Sequence, residues 1–460
     1  MKHLNIYKNE NFNYKSLTSY KNESFNMKPL ATYITEYIIK KKLDTPINSE
    51  DKYHPQTKEE LIENIKECFN NEDYNLNCID TSKITDMSNL FDSYVNKTPD
   101  IKFNFDVSKW DVSNVTNMES MFGNCSIFNC DLSSWDVSNV ENMLDIFANC
   151  KNFEGKGLEN WDVSKVKNMK NMFFNCQNFD CDLSSWDVSN VENISHMFYF
   201  CENFDCDLSK WNVSNVKYMD YTFGGCSNNF NGDLSNWNVS KVIIMEGVFF
   251  NCEQFTGKGL DTWNVSKVKN MKDMFHGCHK FTGKTIENWN VSNVRYFNDM
   301  FSYCIKLDAD FSKWNLNNAT QVSNMFNGCD NFTGKGLENW NTKKIMNASF
   351  MFNKCKKFTG KCIENWDVSN IRNINYIFSE CPELDCDLSK WNVSNVTHMN
   401  GVFFNCEKFK GQNLENWDVK KTKPKDMVAI FDGCKLLKNK PSWYKYTSIR
   451  GPRDMYNDEK

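Results

Sequence analysis

Tryptophan recurs every 25 or 26 residues from Trp110 to Trp443, and all 14 tryptophans of the chain belong to this series. A fixed period of this length indicates a repeat architecture, because each unit is too short to bury its own apolar face and must stack on its neighbours. A degenerate earlier unit carries Ile79 in the tryptophan position. The sequence therefore predicts one continuous stack of about 14 repeats.

Two further columns accompany the tryptophans. A phenylalanine lies 12 residues after each tryptophan in all but the final units, as Phe122 does after Trp110, and a cysteine such as Cys125 follows three residues later. We call these positions the column Phe and the column Cys. Thirteen of the 20 cysteines occupy the column Cys, so the cysteine content is mainly a property of the repeat.

The pattern within one repeat predicts an α/β fold. Residues 132–137 alternate in the manner of a short strand, and the apolar side chains of residues 140–150 are spaced as on one face of a short helix. Ser138 and Glu141 match a helix capping box. We therefore predict a leucine-rich-repeat-like solenoid in which each repeat contributes one short strand and one short helix. The strands are expected to form a parallel sheet along a curved stack.

The motif Leu132-x-x-Trp135-x-Val137-x-x-Val140 resembles the strand pattern of leucine-rich repeats, with Trp and Val in Leu positions. The longer string, Met-Phe-x-x-Cys-x-x-Phe followed by Asp-Leu-Ser-x-Trp-Asp-Val-Ser-x-Val-x-x-Met, is similar to the repeat of about 25 residues in BspA-like surface proteins. The similarity covers residues 79–443. It implies a leucine-rich-repeat-like solenoid with an adhesion or host-interaction role, and it implies no enzymatic activity.

Four segments are predicted along the chain. Residues 1–56 are polar, with one amphipathic stretch that suits a short helix. Residues 57–78 are expected to form an N-terminal capping helix, since Thr57 and Glu60 form a capping box ahead of an apolar helical face. Residues 79–443 form the repeats, and residues 444–460 a C-terminal tail.

Charge and hydropathy restrict the partners and the location. The net charge is −5 and only four of the 54 cations are arginines, so we expect no nucleic-acid partner. No run approaches the length of a membrane span, and the N-terminus lacks the apolar region of a signal peptide. We therefore expect a cytoplasmic or host-cell cytoplasmic location, with a surface or particle location as the alternative.

The cysteines are predicted to be reduced and buried. Column cysteines of successive repeats are expected to lie too far apart for disulfides. Cys181 and Cys206 form a second type of pair on adjacent repeats, and a bridge between them under oxidising conditions stays open.

Possible metal and nucleotide sites have simpler interpretations as parts of the repeat. The cluster of His276, Cys278 and His279 lacks a fourth ligand at zinc-site spacing, and Thr282–Thr285 imitates a phosphate loop but recurs as a glycine-containing turn in other repeats. A column of acidic residues after the tryptophans suggests calcium, yet it changes to Asn in later repeats and also suits local turn hydrogen bonds. The acidic column begins with Asp111, Asp136, Asp162 and Asp187. We predict no metal and no cofactor.

The sequence favours a non-enzymatic scaffold that binds another macromolecule. We expect this macromolecule to be a protein. The alternative is a structural or surface component of a cell or virus particle that self-associates. No catalytic constellation stands out, and an enzyme would have to use His276 and His279. The variable residue before each tryptophan, such as Lys109 or Ser134, is one column that could carry specificity, but no binding site can be named within it.

Overall fold

The computed structural model describes residues 52–91 and 104–445, which belong to one compact unit spanning Ile47–Lys460. The short helix suggested within residues 1–56 lies outside the described residues, as does most of the predicted tail.

Helix α1, Lys58–Asn70, precedes the repeats. The Thr57 hydroxyl accepts a hydrogen bond from the backbone N–H of Glu60 at 3.2 Å, and the Glu60 carboxylate accepts one from the N–H of Gln56 at 2.6 Å. Thr57 and Glu60 therefore cap the helix as the sequence predicts, although the Glu60 carboxylate bonds the residue before the N-cap and not Thr57 itself. The buried side chains of α1 join the apolar core of the repeats: Leu61, Ile65, Cys68 and Phe69.

The repeats lack the strand and the helix that their sequence pattern predicts. Within residues 52–91 and 104–445, α1 is the one α-helix, and the repeats contain only three-residue 3₁₀ turns and single-residue parallel bridges. The predicted α/β leucine-rich-repeat-like solenoid with a parallel sheet is therefore wrong. The predicted curvature also loses its basis, because it rested on unequal spacing of strands and helices. The 3₁₀ turns are Leu76–Cys78, Leu158–Asn160, Leu260–Thr262, Lys284–Ile286, Leu337–Asn339, Lys361–Ile363, Leu414–Asn416 and Pro424–Asp426.

Left-handed residues explain the absence of the predicted helices. In the repeat of Trp135, Asp145 and Asn149 have φ values of 57° and 64°. Such a residue ends an α-helix, because the backbone cannot continue the helical hydrogen-bond pattern through it. Tight turns take the place of the helix, as when the Cys150 N–H donates to the Phe147 carbonyl at 3.0 Å. The apolar spacing that resembles a helical face thus arises from consecutive tight turns.

The N–H groups between these turns bind the next repeat. The Asp145 N–H donates to the Lys170 carbonyl at 3.0 Å, and the Phe147 N–H donates to the Met172 carbonyl at 3.0 Å. The same alternation recurs in later repeats, so backbone groups that a helix would satisfy internally are satisfied between repeats. The repeats are therefore stacked, as their period predicts.

Each tryptophan ties its repeat to the preceding one. The indole N–H of Trp211 donates to the Leu183 carbonyl at 2.9 Å, and every tryptophan from Trp110 to Trp443 makes the equivalent bond. The rings of Trp211 and Trp237 stack with centroids 6.3 Å apart. Tryptophan therefore supplies both apolar area and a buried donor.

The column Cys bonds to the column Phe of the preceding repeat. The Cys150 thiol donates to the Phe122 carbonyl at 3.1 Å, and the same contact continues to Cys434 and Phe403. The rings of Phe122 and Phe147 stack with centroids 5.5 Å apart. The column Cys thus combines a small apolar volume with a hydrogen-bond donor.

The 20 cysteines are not bonded to one another, and the column Cys is buried in every repeat except the last. Cys206 accepts a hydrogen bond from the Leu183 N–H at 3.1 Å and is not bonded to Cys181. The two sulfur atoms of Cys68 and Cys78 lie 4.0 Å apart where α1 meets the first 3₁₀ turn. This pair was missed by the sequence reasoning because neither residue belongs to the repeat pattern.

Candidate functional site

In the middle of the stack, aromatic rings replace small residues at several positions of two left-handed columns. One column lies two residues before the column Phe, and the other lies directly before the column Cys. Most repeats place Asn, Asp, Ser or Gly there, and most of these residues tolerate positive φ. Four of these positions between residues 196 and 303 carry rings: His196, Phe200, Tyr221 and Tyr303, with φ values of 56°, 60°, 51° and 61°.

Neighbouring rings join these four into a continuous surface. We call this surface the aromatic face and define it as His196, Tyr199, Phe200, Tyr221, Phe250, His276 and Tyr303. Its ring centroids lie 5.2 Å apart between His196 and Tyr221, 5.9 Å between Tyr221 and Phe250, 5.0 Å between Phe250 and His276, and 5.7 Å between His276 and Tyr303. The aromatic face therefore extends over five successive repeats.

Part of the aromatic face is open to solvent. Phe200 is 37% exposed and Tyr303 is 42% exposed, whereas the column phenylalanines are almost fully buried. An aromatic residue at left-handed φ costs on the order of 1–3 kcal/mol, and such strain persists only where the surrounding structure enforces it. The aromatic face thus combines exposed rings with unfavourable backbone positions.

Carboxylates lie beside these rings. The Tyr221 hydroxyl donates to Oδ2 of Asp273 at 3.0 Å. Burial raises the pKa of Tyr221, and the negative charges of Asp273 and Glu246 raise it further, so the phenol stays protonated at neutral pH. Nδ1 of His196 lies 3.4 Å from Oδ2 of Asp220, but burial outweighs this attraction and lowers the pKa of His196.

Asp273, His276 and Asp299 form a compact group that we call the Asp–His–Asp cluster. One potential ligand atom from each residue lies within 4.8 Å of those of the other two. Burial raises the pKa of Asp299 to about 6, and the charge of Asp273 adds to this effect. Burial lowers the pKa of His276, so its imidazole is neutral at pH 7. The cluster therefore offers one uncharged nitrogen and two carboxylates.

The three residues that the sequence placed together in one possible metal cluster are separated in the structure. Cys278 is buried and donates to the Phe249 carbonyl at 3.0 Å, as its column requires. Nδ1 of His279 lies 3.6 Å from a carboxylate oxygen of Glu253. His276 instead joins Asp273 and Asp299, which the sequence reasoning missed.

A sequence signal for this grouping exists. Asp273 and His276 are three residues apart in one repeat, and Asp299 follows Asp273 after 26 residues, which is one full period. Applying the tryptophan period to the polar columns would have placed both aspartates in the same column of adjacent repeats.

The acidic residues that follow the tryptophans form turns. Oδ1 of Asp162 accepts a hydrogen bond from the Ser164 N–H at 3.0 Å, and the Asn residues of later repeats make the same bond, as Asn264 does with Ser266 at 3.2 Å. This is the local turn bonding that the sequence indicates. Bonds of the same kind, from residues two positions further along the chain, are made by Asp111, Asp136 and Asp187.

The phosphate-loop imitation is also a turn of the repeat. Gly283 has a φ of 80° and precedes the 3₁₀ turn Lys284–Ile286. Gly259 precedes Leu260–Thr262 and Gly360 precedes Lys361–Ile363 in the same conformation.

Several residues that precede a tryptophan bond to the neighbouring repeat. The Ser185 hydroxyl donates to the Glu159 carbonyl at 2.8 Å, and the Lys313 ammonium donates to the Asn288 side chain at 2.6 Å. Part of this column therefore serves stacking, so the aromatic face is the better candidate for recognition.

Comparison with known families assigns the chain to a family through its repeats. A family model described as "Mycoplasma protein of unknown function, DUF285" matches residues 59–157, 143–258, 244–336 and 324–444. The chain belongs to this family. The four successive DUF285 matches agree with the stacked repeats, and the family description states no function. A search of the curated proteins finds no match.

Within residues 52–91 and 104–445, no helix has the length and apolar character needed to cross a bilayer.

Proposed function

We propose that this DUF285 protein is a non-enzymatic scaffold that binds a protein partner through the aromatic face. The observation that carries the proposal is the grouping of Phe200, Tyr221 and Tyr303 at left-handed positions that most other repeats fill with Asn, Asp, Ser or Gly. Phe350 and Tyr376 also occupy such positions, but they lie outside the aromatic face. Backbone strain of this kind clusters at functional sites. Large aromatic side chains also supply much of the binding energy at protein interfaces.

The charges near the aromatic face suggest the chemistry of the partner. The carboxylates of Asp220, Glu246 and Asp299 lie among the rings or one residue from them in the sequence. A partner segment with Lys or Arg beside apolar side chains would pair with both features, since cations are attracted to carboxylates and to aromatic rings.

The similarity of the repeat to BspA-like surface proteins supports the same type of function. That similarity implies adhesion or host interaction, which is recognition of another macromolecule without chemistry. We therefore propose that the partner is a protein of a host cell or of a neighbouring cell.

The repeat supplies matched positions for a test. A photo-crosslinking amino acid replaces Phe200 or Tyr303 in one set of proteins, and Asn149 or Asn405 in the control set. All four positions directly precede a column Cys and have positive φ. We expect a discrete partner to be crosslinked from the first set and absent from the second.

The captured partner is then measured against the double variant Phe200→Asn and Tyr303→Asn. We expect at least tenfold weaker binding together with unchanged folding. Equal crosslinking from both sets, or equal affinity of the double variant, would contradict the proposal. Crosslinking only to a second copy of the chain would favour the self-associating structural component instead.

A further inference from the structure

We propose that the Asp–His–Asp cluster binds a divalent transition-metal ion of the zinc type. This inference concerns the isolated protein and does not depend on the partner proposed above.

The donor set suits such an ion. Imidazole nitrogen together with carboxylate oxygen is a common ligand combination for Zn²⁺, Mn²⁺ and Co²⁺. Two ligands that each lie about 2.2 Å from an ion are at most about 4.4 Å from each other. The potential ligand atoms of Asp273, His276 and Asp299 already lie within 4.8 Å of one another, so small side-chain movements suffice to enclose an ion.

A second observation points to a missing partner at His276. Its Nδ1 atom is buried and has no hydrogen-bond partner. Buried polar atoms are nearly always paired, so an unpaired one calls for an explanation. The imidazole stacks on Phe250 and contacts the ring of Tyr303 edge-on, which fixes its orientation. A metal ion at the cluster would give this imidazole the partner that the protein does not provide.

Asp273 is oriented as a ligand would be. The Tyr221 hydroxyl and the Lys272 ammonium both contact Oδ2 of Asp273 at 3.0 Å. With Oδ2 held by these two donors, Oδ1 is the Asp273 oxygen that remains for a metal ion. Groups that hold a ligating carboxylate in this way tune affinity at known metal sites. The Lys272 ammonium also contacts Glu246 at 3.1 Å, so its charge is shared between two carboxylates.

The cluster arises from a specific combination of columns. Asp273 and Asp299 occupy a column that holds Asn171 and Asn324 in other repeats, and the column of His276 holds Asn327 in a later repeat. In the described ranges, 52–91 and 104–445, the Asp–His–Asp cluster is the one group of three His, Cys, Asp or Glu side chains with this spacing. Among the described residues, the repeat therefore creates this geometry once.

The column residues supply conservative variants. His276→Asn and Asp299→Asn each introduce a residue that another repeat carries at the same position and, for Asp299, at positive φ as in Asn324. His279→Asn and Asp145→Asn serve as controls, because His279 lies outside the cluster and Asp145 shares the column of Asp273 in a distant repeat.

Co²⁺ is the probe, because its absorption spectrum separates nitrogen and oxygen ligation from thiolate ligation. The full chain is freed of metal with a chelator and titrated with Co²⁺, with thermal unfolding as the check of folding. We expect one Co²⁺ per chain without thiolate bands. His276→Asn and Asp299→Asn should each weaken binding at least tenfold, and the two controls should leave it unchanged. Thiolate bands, no binding, or equal affinity in all four variants would overturn the proposal.

Discussion

The ring of Tyr221 lies so close to Gly247 in the next repeat that a Cβ atom on Gly247 would be 2.2 Å from the ring. Gly247 also has a φ of 57°. Tyr376, six repeats further along, has the same relationship to Gly401, again at 2.2 Å. At these two places a tyrosine ring covers a glycine of the following repeat, where a side chain would lack both space and a favourable conformation. His196 and Phe350 of the same column are instead followed by Tyr221 and Tyr376, on whose rings they stack.

We expect Gly247→Ala to destabilise the protein by about 1–3 kcal/mol, because the added methyl group displaces the Tyr221 ring and alanine disfavours positive φ. Unfolding in guanidinium chloride measures the loss. Gly123→Ala is the control, since the added Cβ would lie 3.4 Å from the Ser120 carbonyl oxygen and Ala148 occupies the same position in the next repeat. If the steric explanation holds, Tyr221→Asn should partly restore the stability of Gly247→Ala. Equal effects of Gly247→Ala and Gly123→Ala would contradict it.

Phe200→Asn is expected to maintain stability or to raise it by up to about 1 kcal/mol, although it removes apolar area. Phe200 has a φ of 60°, a conformation that Asn adopts readily and Phe does not. Asn149→Ala should have the opposite effect and cost about 1–2 kcal/mol. Asn149 has the same conformation, and its side chain bonds to Asn124 at 2.8 Å and to Asn175 at 2.9 Å. Thermal unfolding of both variants measures these two effects. A large loss of stability in Phe200→Asn would show that the ring supports the fold.

Trp211→Phe should destabilise the protein by about 2–4 kcal/mol. The substitution removes the indole donor from the Leu183 carbonyl, which keeps the Trp186 N–H at 3.1 Å, and it opens a gap beside Trp237. Trp443→Phe at the end of the stack is the matched variant, and its cost should be smaller because Trp443 is only partly buried. The unfolding midpoints in guanidinium chloride compare the stability losses of the two variants. A similar loss at both positions would show that burial does not set the cost.

The period and the core could be predicted from the sequence, and the local backbone could not. The Trp, Phe and Cys columns are identified by spacing alone, and they form the buried ladders of the structure. Spacings of three residues fit both a helix and a series of tight turns, however. The deciding residues were Asp145 and Asn149, which have positive φ. The apolar spacing of residues 140–150 carries no sign of the positive φ at Asp145, so the pattern predicts a helix where the chain forms turns.

The candidate site was missed for a related reason. Tyr221, Asp273 and Asp299 all belong to the column two residues before the column Phe. No apolar or cysteine periodicity marks this column, so its aromatic and acidic members looked like scattered surface residues. Only the stacking of successive repeats brings the Tyr221 hydroxyl to Asp273, which lies 52 residues later in the sequence.

Asp299 should make stability depend on pH. Its pKa of about 6 exceeds the ordinary value of 3.8, so the folded protein holds this proton more tightly than the unfolded chain. The associated stability is present below pH 3.8 and is lost as pH rises to about 6. Asp299→Asn should therefore be more stable than the natural protein at pH 7, by on the order of 1 kcal/mol after allowance for partial exposure.

This advantage should disappear below pH 4, where Asp299 is protonated in both states. The comparison is made with a chelator present, so that no metal ion neutralises the cluster. His276 has a lowered pKa and acts in the opposite sense, but it is common to both proteins and cancels in the difference. Unfolding of both proteins between pH 4 and pH 7 measures the effect, and a constant difference across this range would exclude the titration of Asp299 as its cause.

Alkylation should separate the buried column cysteines from the few accessible thiols, which include Cys434, the last member of that column. Cys181, Cys362 and Cys434 are the partly buried cysteines, and burial raises the pKa of each to about 12. The column cysteines are almost all fully buried and donate to backbone carbonyls, as Cys278 does. Because the thiolate is the reactive form, native protein should be labelled slowly and only at the three accessible sites. All 20 cysteines should be labelled after unfolding in guanidinium. Mass spectrometry of the digested protein locates the labels. Rapid labelling of Cys278 in the native protein would contradict this prediction, because it would show that the stack opens readily despite its buried rings and hydrogen bonds.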